Sequence, residues 1–348
     1  MDENRKTTRK KRIRTLLFIL IQAAVIAFTA LREFSGNKAG TMTSGFSKDA
    51  WIYGIFTGGC LLVLLLAEAL KYVLMMHSLK APVSFRIAAE TAILGKYYDC
   101  ITPSGAGGQP FQILWMRRHG YSDGEASAMT VGAYVTMQAG FILLTLFFFI
   151  FGRTAVPDGL RYTAYPGLLL ISLIPCLLVL FSFMPRTVRK LISAAIRLGA
   201  KLKIVKDPEK ATAKTVEALN SYHTHFSIIA RDRLTLACLL LLSLIFRIAL
   251  CSMPFFVLKM FGADVQYLSV LTSTVYIYAA ISLIPTPGNA GAAEGAFYLV
   301  FSSVGNDGVF WAMLVWRLFS YWSFILAGAA VYGLNALERR IGKGDAKA

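Results

Sequence analysis

Charged side chains are scarce in this sequence. They make up 16% of its 348 residues, whereas a soluble domain usually carries roughly 25%. Hydrophobic residues make up 56%, and the mean hydropathy is +0.58. Several apolar stretches reach the about 20 residues that a helix needs to cross a bilayer core. These features exclude an ordinary soluble domain and predict an all-α polytopic membrane protein.

Motifs for metal binding, disulfide chemistry and nucleotide hydrolysis are also missing. The five cysteines include no CxxC pair and lie in apolar surroundings, where free cysteine packs as a small hydrophobe. His223 and His225 stand without cysteine or acidic neighbours, which is a weak metal signal. No Walker motif is present. We therefore expect no metal, no cofactor and no ATP-driven step by this chain.

The net charge of +17 comes from basic residues that crowd into the N-terminal tail and the loops. Such residues orient a membrane protein and contact anionic lipid heads, so we expect no nucleic-acid partner. The basic start, MDENRKTTRKKRIR, precedes an apolar run at 13–31. A signal peptide is one interpretation, but its apolar core is about 7–15 residues long. We prefer an uncleaved first span.

Six full spans are predicted from the apolar runs. They cover about 13–31, 51–76, 125–152, 163–184, 234–260 and 308–336. Two further apolar segments, at about 84–118 and 265–303, are interrupted by helix-breaking residues. Lysine and arginine clusters mark cytoplasmic loops. If each interrupted segment enters and leaves the membrane by the same face, every such cluster lies on the cytoplasmic side. Both termini are then cytoplasmic.

The two interruptions share a Thr-Pro-x-x-Ala-Gly pattern. They read TPSGAGGQP at 102–110 and TPGNAGAAEG at 286–295. The first segment should enter from the cytoplasm and the second from the opposite face, which is the mark of an inverted repeat. We predict two re-entrant helical hairpins, although ordinary loops between full spans remain an alternative. The breaker residues are Pro103, Gly105, Gly107, Gly108, Pro285, Pro287, Gly288 and Gly291.

Helix starts at such hairpin tips offer free N–H groups and a positive dipole end, which can hold an anionic group such as phosphate. The predicted organisation follows from the spans and hairpins. It comprises a basic cytoplasmic tail at 1–12, a first membrane half at 13–184, basic cytoplasmic amphipathic helices at 185–233, a second membrane half at 234–336 and a cytoplasmic tail at 337–348. The helices at 185–233 suit an anionic leaflet or a docking partner, and Asp207-Pro208 is typical of a helix start.

Ionisable residues inside spans are costly and need partners. Glu68 and Lys71 lie on one helix face and can neutralise each other. Glu294 follows the second interruption, and we hypothesise that it shares a central polar cavity with Arg247, Arg317 or both. An arginine fork suits a lipid phosphate, but an internal salt bridge is the rival interpretation. Further headgroup candidates are Lys96, Asp99 and Gln109, and Arg117 and Arg118 are predicted interfacial anchors.

Three stretches carry a resemblance to a known family. They are TPSGAGGQPFQILWMRRHG at 102–120, IPTPGNAGAAEGAFYLVFSSVG at 284–305 and VWRLFSYW at 315–322. The sequence resembles the lysylphosphatidylglycerol synthase transmembrane-region family, the flippase-like domain of the multiple peptide resistance factor. The family usually has an acidic residue near the end of the first stretch, where this chain has Gln109.

The resemblance implies a multi-pass protein of the bacterial cell membrane that moves aminoacylated (lysyl) phosphatidylglycerol, or a related lipid, between leaflets and so confers antimicrobial peptide resistance. Its expected partners are anionic or aminoacylated phospholipids, a second copy of the chain and a separate synthase. Full-length members add a soluble aminoacyl-transferase domain, which we expect this chain to lack. We therefore expect no lysyltransferase activity and no catalytic residues. A membrane-embedded headgroup transferase and a small-solute transporter or channel remain alternatives.

Overall fold

The computed structural model describes residues 46–102, 105, 107–152, 156, 158–184, 187–190, 193–194, 196–197, 208–284, 286, 288–302 and 308–345. Regular structure in these residues is helical. The predicted first span at 13–31 and the basic tail at 1–12 lie outside the described residues, and so do Pro103, Pro285 and Pro287 of the interruptions.

The helices are numbered in order along the described chain. They are α1 (Ala50–Ser78), α2 (Phe85–Ile101), α3 (Gly108–Arg118), α4 (Asp123–Phe151), α5 (Asp158–Phe183), α6 (Pro208–Arg231), α7 (Arg233–Met260), α8 (Tyr267–Ile281), α9 (Ala292–Phe301), α10 (Val309–Arg317) and α11 (Ser323–Asp345). A π-helical turn at Leu318–Trp322 joins α10 to α11.

Five helical stretches are long and apolar enough to cross a membrane. They are Ala50–Ser78, Asp123–Phe151, Asp158–Ser182, Arg233–Met260 and Val309–Asn335. These match the predicted spans at 51–76, 125–152, 163–184, 234–260 and 308–336. The protein is therefore a multi-pass helical membrane protein.

The two interrupted segments each form a pair of shorter helices. Their lengths are 17 and 11 residues for α2 and α3, and 15 and 10 residues for α8 and α9. At a rise of about 1.5 Å per residue, none reaches the about 30 Å of a bilayer core. In each pair the two helices pack against each other. The predicted helix breaks are present, and entry of the pairs from opposite faces stays a prediction.

Local sequence signals account for several helix starts. Ser122 and Glu125 form a reciprocal capping box at the start of α4. Ser84 caps α2, and its hydroxyl accepts a hydrogen bond from the backbone N–H of Ile87. Asp232 caps α7 in the same way, and hydrogen bonds from the side chain and backbone of Thr235 hold the pKa of Asp232 below its ordinary value. Short caps of this kind allow α6 and α7 to follow one another with one residue between them.

Helix α7 occupies the centre of the bundle. It packs most extensively against α1 and also contacts α4, α8 and α10. Helix α5 packs on α8, and α2 packs between α1, α3 and α11. At the outer end of α2, Arg86 binds Glu90 and Glu338, which fixes α2 to α11. Helices α1 and α7, each of which precedes an interrupted segment, thus lie side by side.

The distribution of side chains suits a lipid solvent. Large apolar residues are exposed along the spanning helices, among them Trp51, Ile55, Phe147, Leu169 and Leu241. Several polar and charged residues are buried instead, among them Glu68, Lys71, Gln138, Glu294 and Arg317. An apolar exterior around buried charges is the arrangement that intramembrane ionisable residues require.

The cytoplasmic region predicted at 185–233 is described in part. Helical residues occur within 187–197, and α6 begins at Pro208 as the Asp207-Pro208 signal indicates. Asp207 itself lies outside the described residues. Helix α6 packs along α4, and Ser182 at the end of α5 shares a hydrogen bond with Tyr222 on α6. This contact ties α6 to the spanning helices.

Candidate functional site

The two interruptions touch each other. A Cβ atom added to Gly288 in the second interruption would lie 3.1 Å from the carbonyl oxygen of Cys100, which precedes the first interruption. The same Cβ would overlap the ring of Tyr321, and the Tyr321 hydroxyl donates a hydrogen bond of 3.3 Å to the Cys100 carbonyl. The breaks of two distant segments therefore meet beside the π-helical turn.

Glu294 and Arg317 form an ion pair at this junction. The Arg317 Nε atom lies 2.6 Å from Glu294 Oε1, and both side chains are less than one-tenth exposed. The second carboxylate oxygen accepts a hydrogen bond of 2.7 Å from the backbone N–H of Gly291, and Arg317 Nη2 donates to the Gly288 carbonyl at 3.3 Å. The guanidinium also stacks on the Tyr321 ring, at 4.6 Å from its centroid. The pair is neutral and connects α9, α10 and the second interruption.

Asp99 plays a comparable part at the first interruption. Its Oδ1 atom accepts a hydrogen bond of 3.1 Å from the backbone N–H of Gly108, at the start of α3. Thr102 Oγ1 accepts another, of 2.9 Å, from the N–H of Gly107. Lys96 Nζ lies 3.8 Å from Asp99 Oδ2, a looser ion pair than the one at Glu294. Each interruption thus places a carboxylate at the start of its second short helix.

This arrangement corrects the expectation of free N–H groups at the hairpin tips. The helix starts do hold anionic groups, as their dipoles favour. The anions are the side chains of the chain itself, Asp99 at α3 and Glu294 at α9. At each helix start, a carboxylate of the chain therefore already accepts one backbone N–H.

A second charged cluster surrounds the first interruption. Glu68 and Lys71 form a buried ion pair of 2.8 Å, as their spacing predicts. Glu68 also interacts electrostatically with Lys96 and Arg247. We name the set formed by Glu68, Lys71, Lys96, Asp99 and Arg247 the inner cluster. Its members come from α1, α2 and α7.

Arg247 has contacts that are separate from the Glu294–Arg317 ion pair. Among the described residues its polar contact is with Gln138 on α4, to which Nη2 donates a hydrogen bond of 2.9 Å. Its guanidinium stacks on Phe141, at 4.5 Å from the ring centroid. The described ion pair of Glu294 is with Arg317. Of the alternatives Arg247, Arg317 or both, the ion pair is therefore made by Arg317. The packing of α7 against α4 and α1 places Arg247 in the inner cluster, and a polar cavity shared with Glu294 stays a prediction.

The remaining candidates lie further out. Gln109 is partly exposed, and Gln112, one turn later, is the buried amide that binds the Thr91 carbonyl at 3.3 Å. Arg117 and Arg118 are exposed at the end of α3, where Arg117 pairs with Asp123 at 2.5 Å.

Gly105, Gly288 and Gly291 have positive φ angles, which explains their glycine identity. Gly107 and Gly108 instead lie so close to Thr102 and Asp99 that a side chain would not fit.

Sequence reasoning missed Gln112, Gln138 and Tyr321. Each is an uncharged polar residue within an apolar helix, and that pattern could have pointed to it. The described residues contain no group of three metal-binding side chains. The polar groups that the two interruptions bring together are carboxylates, cations, amides and a phenol.

Comparisons with known proteins agree with this architecture. The profile of the family described as "Lysylphosphatidylglycerol synthase TM region" matches residues 14–328. A "UPF0104 membrane protein" of Archaeoglobus fulgidus is 24% identical over 343 residues, which cover 94% of this chain and 99% of the relative. The family match covers both interruptions and the charged clusters.

Proposed function

This chain belongs to the lysylphosphatidylglycerol synthase TM region family, and from that premise we propose that it moves a polar-headed phospholipid between membrane leaflets. Aminoacylated phosphatidylglycerol is the leading substrate, because the family is named for its synthase. We place the protein in the bacterial plasma membrane. Without a Walker motif in the sequence, the exchange would be passive or driven by an ion gradient.

One observation carries the proposal. The two interruptions of the apolar chain meet, and buried charges of both signs collect where they do. Broken backbone and charge at membrane depth are tolerated where protein buries them or water reaches them.

The chemistry of the charges suits a lipid head. Guanidinium and ammonium groups can hold a phosphodiester, and carboxylates can hold the amines of a lysyl group. The exposed apolar faces of α1, α4 and α7 can carry the acyl chains while the head crosses. Lipid movement uses both properties, whereas transport of a small solute does not need the apolar faces.

A leaflet-exchange assay tests the proposal. The full chain would be reconstituted into liposomes that carry fluorescent lysyl-phosphatidylglycerol, and a membrane-impermeant quencher would then be added. We expect the protected inner-leaflet signal to disappear with the protein and to persist without it. Glu294→Gln and Arg317→Ala should slow the loss, and Lys259→Gln, at the end of α7, should not.

The alternatives give different results. Headgroup turnover without leaflet exchange would indicate a transferase. Flux of a soluble solute without lipid exchange would indicate a solute transporter. Persistent protection with well-folded protein would contradict the proposal.

A further inference from the structure

The buried and half-buried charges of the two clusters do not all balance. Glu294 pairs with Arg317, Glu68 with Lys71 and Asp99 with Lys96. Within the described residues Arg247 has no carboxylate at ion-pair distance. The inner cluster thus contains three cations, Lys71, Lys96 and Arg247, and two carboxylates, Glu68 and Asp99. It carries one surplus positive charge.

The contacts of Arg247 leave hydrogen-bonding capacity unused. Its Nη2 donates to the neutral amide of Gln138. Its Nε is buried and has no hydrogen-bond partner in the part of the chain that the structure describes. A guanidinium presents five donors in a planar fork, so Arg247 can bind a further acceptor.

Lys96 contacts α7 at the residue before Arg247, both cations interact electrostatically with Glu68, and Lys96 is only loosely held. Its Nζ lies 5.0 Å from the ring centroid of Phe246, the neighbour of Arg247 on α7. Its distance to Asp99 is 3.8 Å, and its side chain is 23% exposed. An ammonium with one long ion pair can reorient towards a second anion.

We propose that Arg247 and Lys96 bind the phosphodiester of a phospholipid headgroup, with Gln138 holding the guanidinium in position. This inference rests on the proposed function and assigns its phosphate subsite. An uncompensated buried charge is costly in a low-dielectric interior. A phosphodiester carries one negative charge, which neutralises the surplus. Both carboxylate oxygens of Glu294 already accept hydrogen bonds from the chain itself. The Glu294–Arg317 pair then holds the second interruption to α9 and α10 and does not take the phosphate.

Binding to the purified full chain in neutral detergent tests this assignment. The probes are short-chain phosphatidylglycerol, inorganic phosphate and short-chain diacylglycerol, which lacks the phosphate. Arg247→Gln and Lys96→Gln should each weaken phosphatidylglycerol binding about 10- to 100-fold, as expected for a lost charged hydrogen bond. The affinity of Arg247→Lys for phosphatidylglycerol should lie between those of the wild type and Arg247→Gln. Lys259→Gln, on the same helix but at its end, is the matched control and should bind as the wild type does.

The thermal midpoint without lipid separates binding from structure. Because the surplus charge is unfavourable when the site is empty, Arg247→Gln should unfold at the same or a higher temperature than the wild type. A lower midpoint with unchanged affinity would show that Arg247 is structural and would overturn the proposal. If Arg247→Gln does not fold, the proposal is tested by Lys96→Gln alone, because the Lys96 side chain is partly exposed and its loss should be tolerated. Unchanged binding by Lys96→Gln would then overturn the proposal.

The three probes separate the sources of phosphate. Inorganic phosphate that binds as tightly as phosphatidylglycerol, or diacylglycerol that binds equally well, would overturn the lipid-phosphate assignment. Failure of the proposed function looks different. Phosphatidylglycerol binding that depends on Arg247, without leaflet exchange, would leave the subsite standing and reject lipid movement.

Discussion

The charged residues at the interruptions have unequal roles at the scale of single side chains. Glu294 binds Arg317 with one oxygen and the Gly291 N–H with the other. Arg317 divides its donors between Glu294 and the Gly288 carbonyl. All of these contacts are internal to the chain, so this pair stabilises the junction.

The stability of the junction can be measured by a double-mutant cycle at this pair. Glu294→Gln or Arg317→Gln alone leaves one buried charge unpaired, which costs about 3–5 kcal/mol. The double variant removes both charges and should lose less stability than the sum of the two single losses. Thermal unfolding in detergent gives the comparison. Additive losses would mean that the two side chains act independently.

Gly288 offers a second test at the residue scale. Its φ is +56°, and an added methyl group would meet Tyr321 and the Cys100 carbonyl. Gly288→Ala should therefore cost about 1–3 kcal/mol of stability. Gly295→Ala, one turn into α9 with no atom within 4 Å of the added Cβ, is the control and should lose nothing. Equal midpoints for the two variants would refute close contact between the interruptions.

The elements themselves were predictable to different extents. The described spans were predicted to within a few residues, because uninterrupted apolar runs are long and specific signals. The helix breaks were predictable because glycine and proline mark them. The hydrogen-bond partner of Arg247 could not be predicted from the sequence, since it depends on how α7 packs against α1 and α4. Periodicity also gave no means of choosing Gln112 over Gln109 as the buried amide.

Close packing of α5 on α8 predicts a further effect at the element scale. A methyl group added to Gly167 on α5 would overlap the Ala279 carbonyl oxygen of α8, and rigid backbone cannot move aside easily. Gly167→Ala should separate the two helices and cost about 1–3 kcal/mol. The matched variant Gly159→Ala, near the start of the same helix, has no atom within 4 Å and should keep the wild-type midpoint. Thermal unfolding in detergent gives the midpoints of both variants. An unchanged midpoint for Gly167→Ala would contradict the close contact between α5 and α8.

The whole molecule has features of an internal repeat. Each interrupted segment follows a long spanning helix, α1 or α7, and these two helices pack on each other. Each segment breaks into two short helices, with a carboxylate at the start of the second. Repeats of opposite orientation would bring both breaks to mid-membrane from opposite faces. We propose that the interrupted segments enter the membrane in this way, from opposite faces.

Side-specific labelling of the segment ends tests that claim most directly. In a cysteine-free background, single cysteines would replace Val83, Arg118, Asp264 and Ser302, all exposed at the outer ends of the two helix pairs. An impermeant thiol reagent would be applied to either face of sealed vesicles. We predict that Val83→Cys and Arg118→Cys react from the cytoplasmic face, and that Asp264→Cys and Ser302→Cys react from the opposite face. Entry from opposite faces would be contradicted if Val83→Cys and Arg118→Cys reacted from different faces, or if all four cysteine variants reacted from one face.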